Sequence, residues 1–177
     1  KKHSADELRR IFAGKTVSGS FTVDEDAFIY SGSTNRKDLA DALQLMTAYI
    51  VEPGYREEAL RQFQNQLDPL YTQLAHTPMG VLQDRVDRFL KSGDFRSGFP
   101  SRSEITKRTI KEVEDWLSDT LENAYMEIGI VGDFEEQTVI DTVSKTLGSL
   151  PMRRINKKEF TGERKINFPQ KGQSKEF

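Results

Sequence analysis

The chain has 177 residues, 26 of them Lys or Arg and 28 Asp or Glu, for a formal net charge of -2. No field of one sign therefore points to nucleic acid or to an anionic lipid surface. Cysteine is absent, which excludes thiolate metal sites and thiol nucleophiles and leaves cytoplasm and periplasm equally open. No run of about 18 apolar residues is present to span a membrane, and the length allows a single domain, 1–177, whose core needs no disulfide or structural metal.

Taken in order, Asp6 to Phe12 reads as a short helix or turn. Thr16 to Val23 alternates, with Val17, Phe21 and Val23 on one face. The Asp24-Glu25-Asp26 turn leads into Ala27 to Tyr30, which predicts an antiparallel hairpin. Ser31 to Asn35 is a loop. Lys37 to Val51 is predicted to be helical, with Leu39, Leu43, Met46 and Ile50 on one stripe. After Pro53-Gly54, a helix over Arg56 to Ala75 carries Leu60, Phe63, Leu67, Leu70 and Leu74. Pro69 inside that run predicts a kink or two helices.

Thr77-Pro78 opens a further helical segment with Leu82, Val86, Phe89 and Leu90. The Gly-, Ser- and Arg-rich stretch 92–103 is expected to be a mobile loop. A helix over Ser103 to Leu121 is predicted to bury Ile110, Val113 and Leu117, with Trp116 at its edge. Arg164 to Phe168 reads as a strand through Ile166 and Phe168, and 169–177 as a flexible tail. The order predicts an α+β fold, an antiparallel-rich sheet packed against several helices.

The most legible stretch is Tyr125 to Pro151. Met126, Ile128, Ile130 and Val131 favour a strand, and Gly132-Asp133 breaks it. Asp133 is the expected N-cap, with Glu136 reaching back in a capping box. Val139, Val143 and Leu147, with Ile140 beside them, form one apolar helix face. Gly148 and Pro151 stop the helix.

This unit, VGDF followed by a helix and LGSLP with Arg153-Arg154 after it, resembles the pitrilysin/insulinase family of zinc metallopeptidases, the inverzincins. A second resemblance lies upstream, where the helix of Asp38 to Leu45 is joined by Glu52-Pro53-Gly54-Tyr55 to a helix opening with Glu57-Glu58. Family members share that order of helix, proline-containing link and acidic helix start. The resemblance implies a metallohydrolase-like α+β repeat. Catalysis in the family needs H-x-x-E-H, two histidines on one helical face with a Glu that activates the metal-bound water, and a further Glu on a later helix.

This chain has two histidines. His3 is followed by Ser4-Ala5-Asp6-Glu7, and His76 by Thr77-Pro78-Met79. No glutamate occurs from Ala59 to Ser103, where the later ligand belongs. The resemblance therefore implies the front portion of a truncated, non-catalytic repeat, a piece of a longer zinc-dependent metalloendopeptidase. It begins at Lys1 without an initiator Met or a signal-like apolar run and ends in a polar, Lys- and Gln-rich stretch. Zinc is expected in the parent and no cofactor in this piece.

The implied partners are the catalytic repeat of the same chain or of a partner subunit, and an unfolded peptide enclosed between repeats. Self-association through an exposed sheet edge is also expected. A bacterial periplasm or cytoplasm is the implied location. The alternative is a structural or assembly subunit descended from inactive peptidase relatives. A third reading, an unrelated α+β protein-binding module, predicts that the hairpin and the Tyr125 segment do not share one sheet.

No catalytic, cofactor-binding or metal-binding residue is assigned from the sequence. Asp133 and Glu136 are explained as helix caps rather than as an acid–base pair. Asp24-Glu25-Asp26 lacks the spaced ligands of a calcium loop. Arg153-Arg154 and Lys157-Lys158, without interleaved aromatics, read as an exposed edge rather than a nucleic-acid site. Gly93 to Gly98 does not follow a strand, as a phosphate-cradling loop would.

Overall fold

A computed structural model describes residues His3 to Phe177 and shows an α+β chain with one two-stranded antiparallel sheet and several helices. The elements are α1 (Ala5–Ile11), β1 (Ser20–Val23), β2 (Phe28–Ser31), α2 (Leu39–Val51), α3 (Glu57–Asn65), α4 (Leu67–His76) and α5 (Pro78–Val81). A π-helical turn (Leu82–Val86), α6 (Asp87–Leu90), α7 (Arg102–Thr106), α8 (Ile110–Asn123), α9 (Glu136–Lys145) and a 3-10 turn (Leu147–Ser149) follow. No helix among the described residues is long and apolar enough to cross a membrane. The chain gathers into two compact units. The first comprises the residues up to Gly54 with Asp115–Lys158, and the second Tyr55–Glu114 with Glu159–Phe177.

The first unit is built around the expected hairpin. Its register pairs Phe21 with Tyr30 and Val23 with Phe28, so four apolar side chains share one face. That face is aromatic. Phe21 lies 5.4 Å from Tyr30 and 5.7 Å from Phe28 between ring centroids. Phe28 then meets Trp116 of α8 edge-on at 5.1 Å, and Tyr30 stacks on Tyr49 of α2 at 5.5 Å. These contacts seat the hairpin on two helices. Beyond the hairpin, α2 packs against α9 and the 3-10 turn. Ala42, Leu43, Leu117, Val139 and Leu147 are buried, as the stripes in the sequence require.

Polar anchors fix the entry to α2. Asp38 is only 5% exposed, yet its carboxylate accepts the Thr16 N–H at 2.8 Å and the Asn35 amide at 3.0 Å. Those donors, the Thr16 N–H first, hold its carboxyl below the usual aspartate range.

The second unit is helical. The long helix expected over 56–75 is two helices that part at Gln66. Pro69 falls in the first turn of α4, where its missing N–H has no helical partner to lose, so it helps start a helix. Thr77 turns the chain: its hydroxyl accepts the Gly80 N–H at 3.0 Å and donates to the Gln73 carbonyl at 2.9 Å. A Cβ on Gly80 would meet the Leu74 Cα at 2.6 Å, so glycine permits α5 to fold back on α4. Leu67 and Leu74 are buried in this unit.

Four expected elements differ. Tyr125 to Val131 is not a strand, because no neighbouring strand among the described residues bonds its backbone. Asp133 does not cap α9, and its carboxylate instead forms an ion pair with Arg36. Glu135 caps the helix, accepting the Gln137 N–H at 3.2 Å and the Thr138 N–H at 2.7 Å. Glu136, expected to close a box with Asp133, is thus the first residue of α9. The helix expected over 103–121 is broken between α7 and α8, where Thr109 and Glu112 exchange bonds: the Glu112 N–H reaches the Thr109 hydroxyl at 3.2 Å and the Thr109 N–H reaches the Glu112 carboxylate at 2.7 Å. Arg164 to Phe168 is not a strand either. Its start is a turn, with the Arg164 N–H on the Phe160 carbonyl at 2.9 Å.

Candidate functional site

The segment Tyr125 to Val131 leaves α8 and runs without backbone hydrogen bonds to any described residue until α9. Ile128 is 43% and Val131 99% exposed, while Met126 and Ile130 are half-buried. Peptide groups that lack internal partners are the chemical feature by which a sheet edge takes up another extended chain. The segment is anchored at both ends. On one side the Arg154 N–H donates to the Asn123 carbonyl at 2.9 Å. On the other, the Arg36 Nε donates to the Asp133 carbonyl at 2.6 Å.

The residues singled out in the sequence have structural partners here. Arg154 holds both carboxylate oxygens of Asp119, at 2.8 and 2.9 Å, and draws that carboxyl below the usual range. Arg153 donates to the Leu121 carbonyl at 2.5 Å and is half-buried, and desolvation lowers its pKa. The pair therefore fastens the segment after the 3-10 turn to α8. Asp24 accepts the Glu25 N–H at 2.8 Å within the hairpin turn, and Asp26 lies 4.0 Å from Lys157. Trp116 belongs to the aromatic face of the hairpin.

His3 and His76 are both exposed, and His76 is the last residue of α4. No group of three or more His, Cys, Asp or Glu among the described residues could hold a metal ion. The donor set among the described residues does not fit a zinc ion.

Comparison with family models, with curated proteins and with solved structures finds no match.

What the first unit offers is an open backbone segment along 125–131. In the second unit the expected 92–103 loop is irregular only to Ser101, after which α7 begins, and it is tethered. Arg88 donates to the carbonyls of Ser97 and Phe99, each at 2.8 Å, and the Tyr71 hydroxyl donates to the Pro100 carbonyl at 2.6 Å. Arg96 grips Asp94 through Nε at 2.9 Å and holds that carboxyl well below the usual aspartate range. The sequence does not single out Asp84 or Arg88, and Gly98 is the one local signal of a close backbone approach to Asp84.

Proposed function

We propose that this chain is a non-catalytic repeat of a zinc-dependent metalloendopeptidase of the pitrilysin/insulinase type, helping to enclose an unfolded peptide while the zinc chemistry lies elsewhere in the parent. The observation that carries the reading is the pairing of the two family-like segments. The helix leading to Glu52-Pro53-Gly54 and the helix between VGDF and LGSLP are far apart in sequence, yet α2 and α9 pack on each other. Their order, the acidic start of α3 and the lack of H-x-x-E-H suit an inactive repeat. The peptide would align along the open 125–131 backbone by strand addition.

One observation favours a different reading. The hairpin and the Tyr125 segment do not share a sheet, as an unrelated α+β binding module predicts. On the peptidase reading, that segment pairs with strands supplied by the rest of a longer chain. The sequence of the full-length parent separates the readings. An H-x-x-E-H helix in another repeat of the parent is expected. A parent without one removes the peptidase reading and leaves a scaffold subunit or an unrelated module.

A further inference from the structure

Between its two anchors the segment 125–131 carries a single charged residue, Glu127. Exposure along it alternates as in an extended chain: Tyr125, Glu127 and Val131 are exposed, while Met126 and Ile130 are half-buried. Tyr125 and Glu127 therefore share the outward face, and the Tyr125 hydroxyl donates to one Glu127 carboxylate oxygen at 2.9 Å. Two residues on, Gly129 leaves that face open, since a Cβ there would meet nothing within 4 Å.

The carboxylates at the two ends of the segment are already matched, Asp119 by Arg154 and Asp133 by Arg36. Glu127 forms no ion pair among the described residues, and its bond there is the one from Tyr125. A carboxylate offers about four acceptor sites over its two oxygens, so most of its capacity faces outward unused. Held by Tyr125, it loses little freedom on meeting a cation. The Tyr125 ring, 39% exposed, adds an aromatic face that attracts the same charge.

We propose that the peptide taken up along 125–131 carries a Lys or Arg side chain opposite Glu127, flanked at two-residue spacing by apolar side chains that lie over Tyr125 and in the space beside Gly129. This rests on the reading of 125–131 as a site for strand addition, and it names the class of peptide that the site takes. Opposite charges facing each other across two strands attract, like charges there repel, and a β-branched side chain packs well against an aromatic one.

The test titrates three amidated peptides bearing a neutral dye, TVTKTVT, TVTATVT and TVTETVT, with this chain kept dilute so that self-pairing does not compete. Each peptide reads the same in both directions, so parallel and antiparallel addition set the same side chain against Glu127. The lysine peptide is expected to bind about fivefold more tightly than the alanine peptide, with the glutamate peptide weaker still. The gap should narrow as sodium chloride rises from about 0.05 to about 0.5 M. Glu127→Lys, at an exposed position outside every helix and strand, should reverse the order, which a loss of structure would not do. Equal affinity for the three peptides, or an order that Glu127→Lys leaves unchanged, overturns the proposal and leaves strand addition standing. No saturation by any peptide at millimolar concentration, or saturation that Ile128→Pro does not remove, overturns both.

Discussion

Gly98 approaches Asp84 so closely that a Cβ on the glycine would meet the Asp84 carbonyl oxygen at 2.2 Å. Its φ of +74° adds a second reason for glycine, since that region is costly for other residues. Gly98→Ala should therefore destabilise the second unit by about 2–4 kcal/mol, summing backbone strain and overpacking. Gly93 has a similar φ of +81° but open space around it, so Gly93→Ala should cost only about 1–2 kcal/mol. Urea denaturation of both variants checks this, and equal costs would show that the Asp84 contact contributes nothing.

The aromatic face of the hairpin makes a second prediction. Phe28 and Trp116 meet edge-on, and Trp116 remains 58% exposed, so burial alone understates the contact. A double-mutant cycle with Phe28→Ala and Trp116→Ala should return a coupling of about 0.5–1.5 kcal/mol by urea denaturation followed by circular dichroism. Strict additivity would mean that the hairpin does not rest on α8.

Acid should loosen the helix starts. Glu104 is held below the usual glutamate range by the Ser101 hydroxyl and N–H, Glu112 by the Thr109 N–H and hydroxyl, and Glu135 by the Thr138 hydroxyl and N–H. Because these folded-state values are depressed, their stabilisation is fully present above the unfolded glutamate value of about 4.3. It is lost as pH falls through the folded values. The urea midpoint should fall below about pH 4, and Glu→Gln at all three positions should flatten that fall. An acid limb unchanged by the triple substitution would contradict the role of these carboxylates as caps.

The three boxes show what the sequence could and could not yield. Ser4-x-x-Glu7, Ser101-x-x-Glu104 and Thr109-x-x-Glu112 are local patterns, and each marks the start of a helix in the structure. These patterns are local and legible, and the Thr109-x-x-Glu112 box is what divides α7 from α8. The hairpin, the α2 stripe and the Pro69 division were legible because periodicity and proline act within a few residues. The Asp133 cap failed for a non-local reason. Arg36, 97 residues away, takes its carbonyl and its carboxylate, and the helix starts later on Glu135. The Tyr125 segment has the composition of a strand, but a strand exists only where a partner bonds it, and composition does not supply one. The Asp84 contact is illegible in the sequence because it depends on Gly98 and Phe99 meeting Asp84 from across a loop.

Open peptide groups along 125–131 should make the isolated chain self-associate. An antiparallel pairing centred on Ile128 sets each Glu127 against Gly129 of a second copy, so no like charges are opposed. Light scattering should show mass rising with concentration, and Ile128→Pro, which removes one donor and blocks the ladder, should hold the chain as a monomer. A monodisperse monomer across a wide concentration range without the substitution would remove this interface.

On the function proposed above, this chain shapes a peptidase chamber without performing its chemistry. Hydrolysis of an unfolded peptide, with and without a zinc chelator, measured side by side for this chain and for the full-length protein containing it, tests that claim most directly. The account predicts cleavage by the full-length protein that the chelator abolishes, and none by this chain alone. Chelator-sensitive cleavage by this chain alone, or no cleavage by either, would contradict it.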